Sequence, residues 1–121
     1  DAGWSGLGTD FSRRYATSQS RLRSVEEDLV GIRTQCDVNP ALNIDALKAA
    51  LSGSASVLGA ATAIADAVSG ESEGRSALRS AVASHMVVQF EGAVVTAQAA
   101  VDRLRRLMRA VLARAVGVQN A

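Results

Sequence analysis

Three stretches of the chain carry an apolar stripe in alternating steps of three and four residues, the seam pattern of helices packed side by side. The first runs Phe11, Tyr15, Ser18, Leu22, Val25, Leu29, Ile32, Cys36. The second runs Ile44, Leu47, Leu51, Ser54, Leu58, Ala61, Ala65, Val68. The third runs Val87, Phe90, Val94, Ala97, Val101, Leu104, Met108, Val111, Ala115, Val118. Together they predict an all-α fold: an antiparallel bundle of three long helices, or four if the last breaks near Gly92. Short connections make chain neighbours antiparallel.

The punctuation agrees with this division. Residues 1–8 hold three glycines and Trp4, and form a flexible lead-in. Thr9 suits the cap of a first helix over about 9–36, because its hydroxyl accepts from a free amide of the first turn. Asn39 suits a second cap, and Pro40 suits a first helical position, where its missing N–H is no loss. The second helix then runs to about Val68. Ser69 to Gly74 is a turn, with Ser72 as a cap for the third helix, which runs to about Val118. At 1.5 Å per residue the third helix spans roughly 68 Å against roughly 40–45 Å for the others. Either it folds back near Gly92, or one end overhangs. The sequence points to the end that starts at Arg103.

The second helix carries Gly53 and Gly59 in its interior, each about 1 kcal/mol less favourable there than alanine. Small residues recur at spacing four: Ala49 and Gly53; Ser52, Ser56 and Ala60; Ala55, Gly59, Ala63 and Ala67. Such ladders let a neighbouring backbone approach closely. The simplest expectation is tight packing inside the bundle. The uncharged stretch Ala49 to Ala65 is 17 residues long, short and polar for a membrane span.

Composition narrows the class. The chain has 121 residues, 48% hydrophobic and 21% charged, so it forms a single globular domain rather than a disordered segment. Aromatics are 3%, so the core is built from small and medium side chains. The net charge of +1 hides an uneven distribution. From Arg103 onward there are five arginines and no acid, which makes 103–121 a basic amphipathic segment. Leu104, Leu107, Met108, Val111 and Leu112 share one face. Arg103, Arg105, Arg106, Arg109 and Arg114 cover much of the rest.

Few residues point to chemistry. His85 is the only histidine, with Met86 beside it and Tyr15 on another helix as candidate co-ligands for haem or metal. Cys36 is the only cysteine and falls on the first seam, where a buried thiol fits. No paired carboxylates and no Ser/His/Asp or Cys/His motif can be placed, so an enzyme is not expected. Nor is a cofactor. Nucleic acid fits poorly, because the basic segment lacks interleaved aromatics and the pI is near 8.2.

Trp4-Ser5-Gly6, followed by Phe11 and Tyr15, resembles the turn and second helix of WXG-type secreted helical hairpins. In that family the Trp-x-Gly motif turns between two helices. Here it stands ahead of the three helical patterns, and the family's later Tyr-xxx-Asp/Glu export signal has no match.

The expected function is therefore non-catalytic: a structural or assembly protein that packs through helical faces onto itself or a helical partner. The apolar set Leu104, Leu107, Met108, Val111 and Leu112 is the expected anchor, with Arg103, Arg105, Arg106, Arg109 and Arg114 as its charged rim. The alternatives are a protein acting at an anionic membrane surface and a carrier of a small ligand such as haem.

Overall fold

The computed structural model describes residues 8–72 and 77–120. Trp4, the rest of the lead-in before Gly8, and the turn residues 73–76 lie outside them. Three long helices make up the fold: α1 (Gly8–Val38), α2 (Asp45–Ser72) and α3 (Ala77–Asn120). A single 3₁₀ turn, Pro40–Leu42, joins the first two.

The stripes are the core. Tyr15, Ser18, Leu22, Val25, Leu29 and Ile32 are buried on α1. Leu47, Ser54, Leu58, Ala61, Ala65 and Val68 are buried on α2, with Leu51 half-buried. Val87, Phe90, Val94, Ala97, Val101, Leu104 and Met108 are buried on α3. Alanines on the facing seams of α2 and α3 keep this contact close, and α3 is the central helix. It packs along both α1 and α2, whereas α1 and α2 meet over much less of their length.

The connection between α1 and α2 departs from expectation in one respect. Asn39 does cap, its Oδ1 accepting from the Ala41 N–H at 3.0 Å. It caps the 3₁₀ turn, however, and α2 begins only at Asp45. The turn swings Leu42 into the core at 2% exposure and leaves Ile44, the expected seam residue, at 37%. At the other end α2 runs to Ser72, and the expected cap of α3 lies outside the described residues.

Gly92 does not break α3, which continues through it as one helix of 44 residues. Two cross-links set its register. Arg14 on α1 donates from Nε to Oε2 of Glu91 at 2.9 Å and from Nη2 to Oε1, a fork-to-fork pair. Further along, Arg105 Nη2 lies 3.1 Å from Asp28 Oδ2. Both pairs join residues 77 apart, so α1 and α3 run parallel in constant register. The span of α1 therefore lies beside 85–115. Beyond the span of α1 lie 77–84 at one end, about 12 Å, where Ala83 is still buried, and 116–120 at the other, about 8 Å. The arginine-rich stretch is not the overhang; most of it sits within the bundle.

A polar cluster fastens the opposite end. Tyr15 is 1% exposed, and its hydroxyl donates to the Ala65 carbonyl at 2.8 Å. Ser69 Oγ lies 3.0 Å from the same hydroxyl oxygen, and Gln19 Nε2 donates to it at 3.1 Å. The Tyr15 ring packs on Phe90 with centroids 5.4 Å apart. One side chain of α1 thus holds both other helices.

Candidate helix-packing surfaces

The residues expected to bind a partner are divided by the fold. Leu104 and Met108 are 2% and 6% exposed and belong to the core, so neither can anchor a partner without opening the bundle. Leu107, Val111 and Leu112 are half-buried against that core. Arg105 is held by Asp28 and by Asp102, the latter at 3.6 Å. Arg103, Arg106, Arg109 and Arg114 are exposed. The expected five-residue apolar face is thus not a free face. Its helical period is real, but the register set by Arg14–Glu91 and Asp28–Arg105 turns it inward.

Candidate ligand residues are dispersed. His85 is exposed on α3, while the Tyr15 hydroxyl is engaged inside the bundle. Among the described residues no three His, Cys, Asp or Glu side chains gather as a metal site. Burial, and secondarily the charge of Asp37, raises the pKa of the half-buried Cys36 thiol, which disfavours the reactive thiolate. The clefts between helices are surface grooves. One of about 350 Å³ lies between α2 and α3, lined by Ser54, Val57, Arg103 and Leu107 among others.

The more informative surface is the outside of α2. Every exposed residue from Ala49 to Ala65 is Ala, Ser, Gly or Thr. The glycines within it are not held by close packing inside the chain: a Cβ built on Gly53 or Gly59 meets nothing within 4 Å, as at Gly31 of α1 and Gly92 of α3. The expectation that the ladders serve close packing within the bundle is therefore overturned at these positions. The helix bears the propensity cost of two glycines at positions that line surface grooves, Gly53 beside α3 and Gly59 beside α1, with room left at both.

Beside this surface runs a second groove, about 270 Å³ in its central part, on the side of α1 and α2 away from α3. Glu26, Leu29, Val30 and Arg33 of α1 line it opposite Ala55, Leu58, Gly59 and Thr62 of α2. It exists because α1 and α2 touch so little. Val30, which lines it, is 58% exposed. Sequence reasoning missed this groove, which depends on how little α1 and α2 meet and not on the spacing within either helix. No match to the chain is found among protein-family models, curated proteins or solved structures.

Proposed function

We propose that the chain is a non-catalytic assembly protein whose outer helical faces pack against another helical surface. The observation that carries this reading is the neutral outer face of α2 with Gly53 and Gly59 in its interior, open to space. Ordinary solvent-facing helix positions favour Lys, Glu and Gln, which hold a helix better than glycine and keep it soluble. A face of Ala, Ser, Gly and Thr gives up the solubility throughout and the helix propensity at its Ser, Gly and Thr positions. What it offers in return is close approach of a neighbouring backbone. The exposed arginines of α3 then act as a surrounding charged surface rather than as the rim of an apolar anchor.

Thiol protection tests the reading. A Ser56→Cys variant in a Cys36→Ser background puts one probe in the middle of the face. Its alkylation should be slow in the native extract or in concentrated protein, and rapid at high dilution. Alkylation at the free-thiol rate under all three conditions contradicts packing through α2.

One observation favours a second reading, a membrane-associated protein. Over Asp45–Gly70, α2 is long and apolar enough to cross a membrane, with a mean hydropathy of 1.3 and only 28% of the window buried in the bundle. Co-sedimentation with anionic liposomes at low salt distinguishes the two. Quantitative binding supports the membrane reading, and its absence removes it.

A further inference from the structure

The groove between α1 and α2 carries a charge pattern that matches itself when reversed. On α1 Glu26, Val30 and Arg33 line it, and the same steps of three and four continue along that helix to the exposed Arg23 and Asp37. On α2 Ala55, Gly59 and Thr62 line it, and steps of four and three continue to the exposed Lys48, Ser52 and Asp66. All but the half-buried Ala55 are exposed. None of the six charged side chains forms an ion pair among the described residues.

Lay a second copy face to face, turned by a two-fold axis perpendicular to the helices. On α2, Lys48 falls opposite Asp66 of the copy, Ser52 opposite Thr62, and Ala55 opposite Gly59. On α1, Arg23 falls opposite Asp37, Glu26 opposite Arg33, and Val30 opposite Val30. The α2 pattern is centred near residue 57 and the α1 pattern near Val30. Val30 lines the same groove as Ala55 and Gly59, the two residues that flank the α2 centre. One axis therefore satisfies both helices. An isologous interface requires this property, and a surface with a different partner has no reason to possess it.

We infer that the α1–α2 face is the seat of a second copy of this chain, pairing as an antiparallel two-fold dimer. The inference rests on the proposed packing function and names its partner. In the dimer α1 and α2 of each copy form a four-helix layer, with α3 outside it on both sides. Gly59 meets Ala55 of the copy, so the glycine serves close approach between two backbones. The patch is about 30 Å long and roughly 20 Å wide, or about 1,200 Å² over both copies. That is the lower limit of specific interfaces.

Charge exchange tests the pairing. Glu26→Arg alone sets a positive charge against Arg33 twice per dimer. Arg33→Glu alone sets a negative charge against Glu26 twice. Each variant should associate at least about tenfold more weakly than the parent, as attraction becomes repulsion at two sites. Both changes are on exposed positions and should leave helicity and thermal stability unaltered. Mixing the two variants recreates opposite charges at both contacts, so a mixed dimer should form with near-parent affinity by sedimentation equilibrium. Association of the parent that neither variant weakens would overturn this face as the interface. A parent that stays monomeric to millimolar concentration, while Ser56→Cys remains protected in the native extract, would overturn self-pairing yet leave the packing function standing. Loss of protection as well would remove both.

Discussion

Gly59→Ala should make the isolated chain more stable. Gly59 sits in the interior of α2, where glycine is about 0.8–1.0 kcal/mol less favourable than alanine. A new methyl group there meets no atom within 4 Å, so no steric penalty offsets the gain. The expected change is about 1 kcal/mol, which raises Tm by roughly 4 °C for a chain of this size. Gly53 is six residues away and equally open, so the two gains should add to about 2 kcal/mol. Urea and thermal unfolding at submicromolar concentration measure this on the monomer. Gly59→Leu is the companion variant: leucine is also a good helix former and its Cβ meets nothing in the monomer, but the side chain projects from the packing face. It should unfold no more easily than the parent, yet associate far more weakly. Destabilisation of the dilute chain by Gly59→Ala would refute the reasoning, since it would mean that the glycine is needed within the chain. Full association of Gly59→Leu would refute the packing role.

The same geometry yields four further outcomes. Leu104→Ala should destabilise the fold by about 3 kcal/mol, whereas the exposed Arg106→Ala should stay within about 0.5 kcal/mol, both by urea unfolding; equal effects would mean that the C-terminal stretch is not core. Tyr15→Phe should cost about 1–2 kcal/mol by the same measurement, because Gln19 and the Ala65 carbonyl lose a buried partner. Hydrogen bonding from Arg14 holds the Glu91 carboxyl below its ordinary pKa, so the pair stabilises the fold above the ordinary carboxylate range and loses its contribution as pH falls through the depressed value. The acid-side fall in urea midpoint should therefore be shallower in Glu91→Gln. Val30→Cys in a Cys36→Ser background should give a disulfide-linked dimer under mild oxidation, since the two-fold brings Val30 beside Val30 of the copy, and Arg13→Cys, away from the groove, should not.

The seams are legible residue by residue. Nearly every stripe position from Tyr15 to Ile32 and from Val87 to Met108 is buried, because heptad spacing is a local property of the helix and survives any arrangement of neighbours. The exchange of Ile44 for Leu42 is not legible. It depends on how the 3₁₀ turn after Asn39 redirects the backbone, and both residues look equally apolar in sequence. Gly92 is a candidate break by residue type, yet α3 carries it, because a helical glycine costs about 1 kcal/mol and requires no backbone distortion. The length mismatch of α3 is visible in the sequence, but its placement is not. Which end overhangs depends on Arg14 meeting Glu91 and Asp28 meeting Arg105, contacts between residues 77 apart that no local pattern encodes. The candidate site changes for the same reason: Leu104 and Met108 have the right period for an anchor, and the register makes them core. The charges of the groove stand in the sequence as Arg23, Glu26, Arg33, Asp37, Lys48 and Asp66. They acquire meaning only when α1 and α2 are set side by side.

The central claim is that the open side of α1 and α2 is built to receive another copy of itself. The molar mass of the unaltered chain by sedimentation equilibrium, from low-micromolar to millimolar concentration, tests it most directly. The expected result is a rise from 12.5 kDa towards twice that value, shifted to higher concentration by Glu26→Arg or Arg33→Glu and restored when the two are mixed. A mass that stays at 12.5 kDa throughout, or a dimer indifferent to both substitutions, would contradict it.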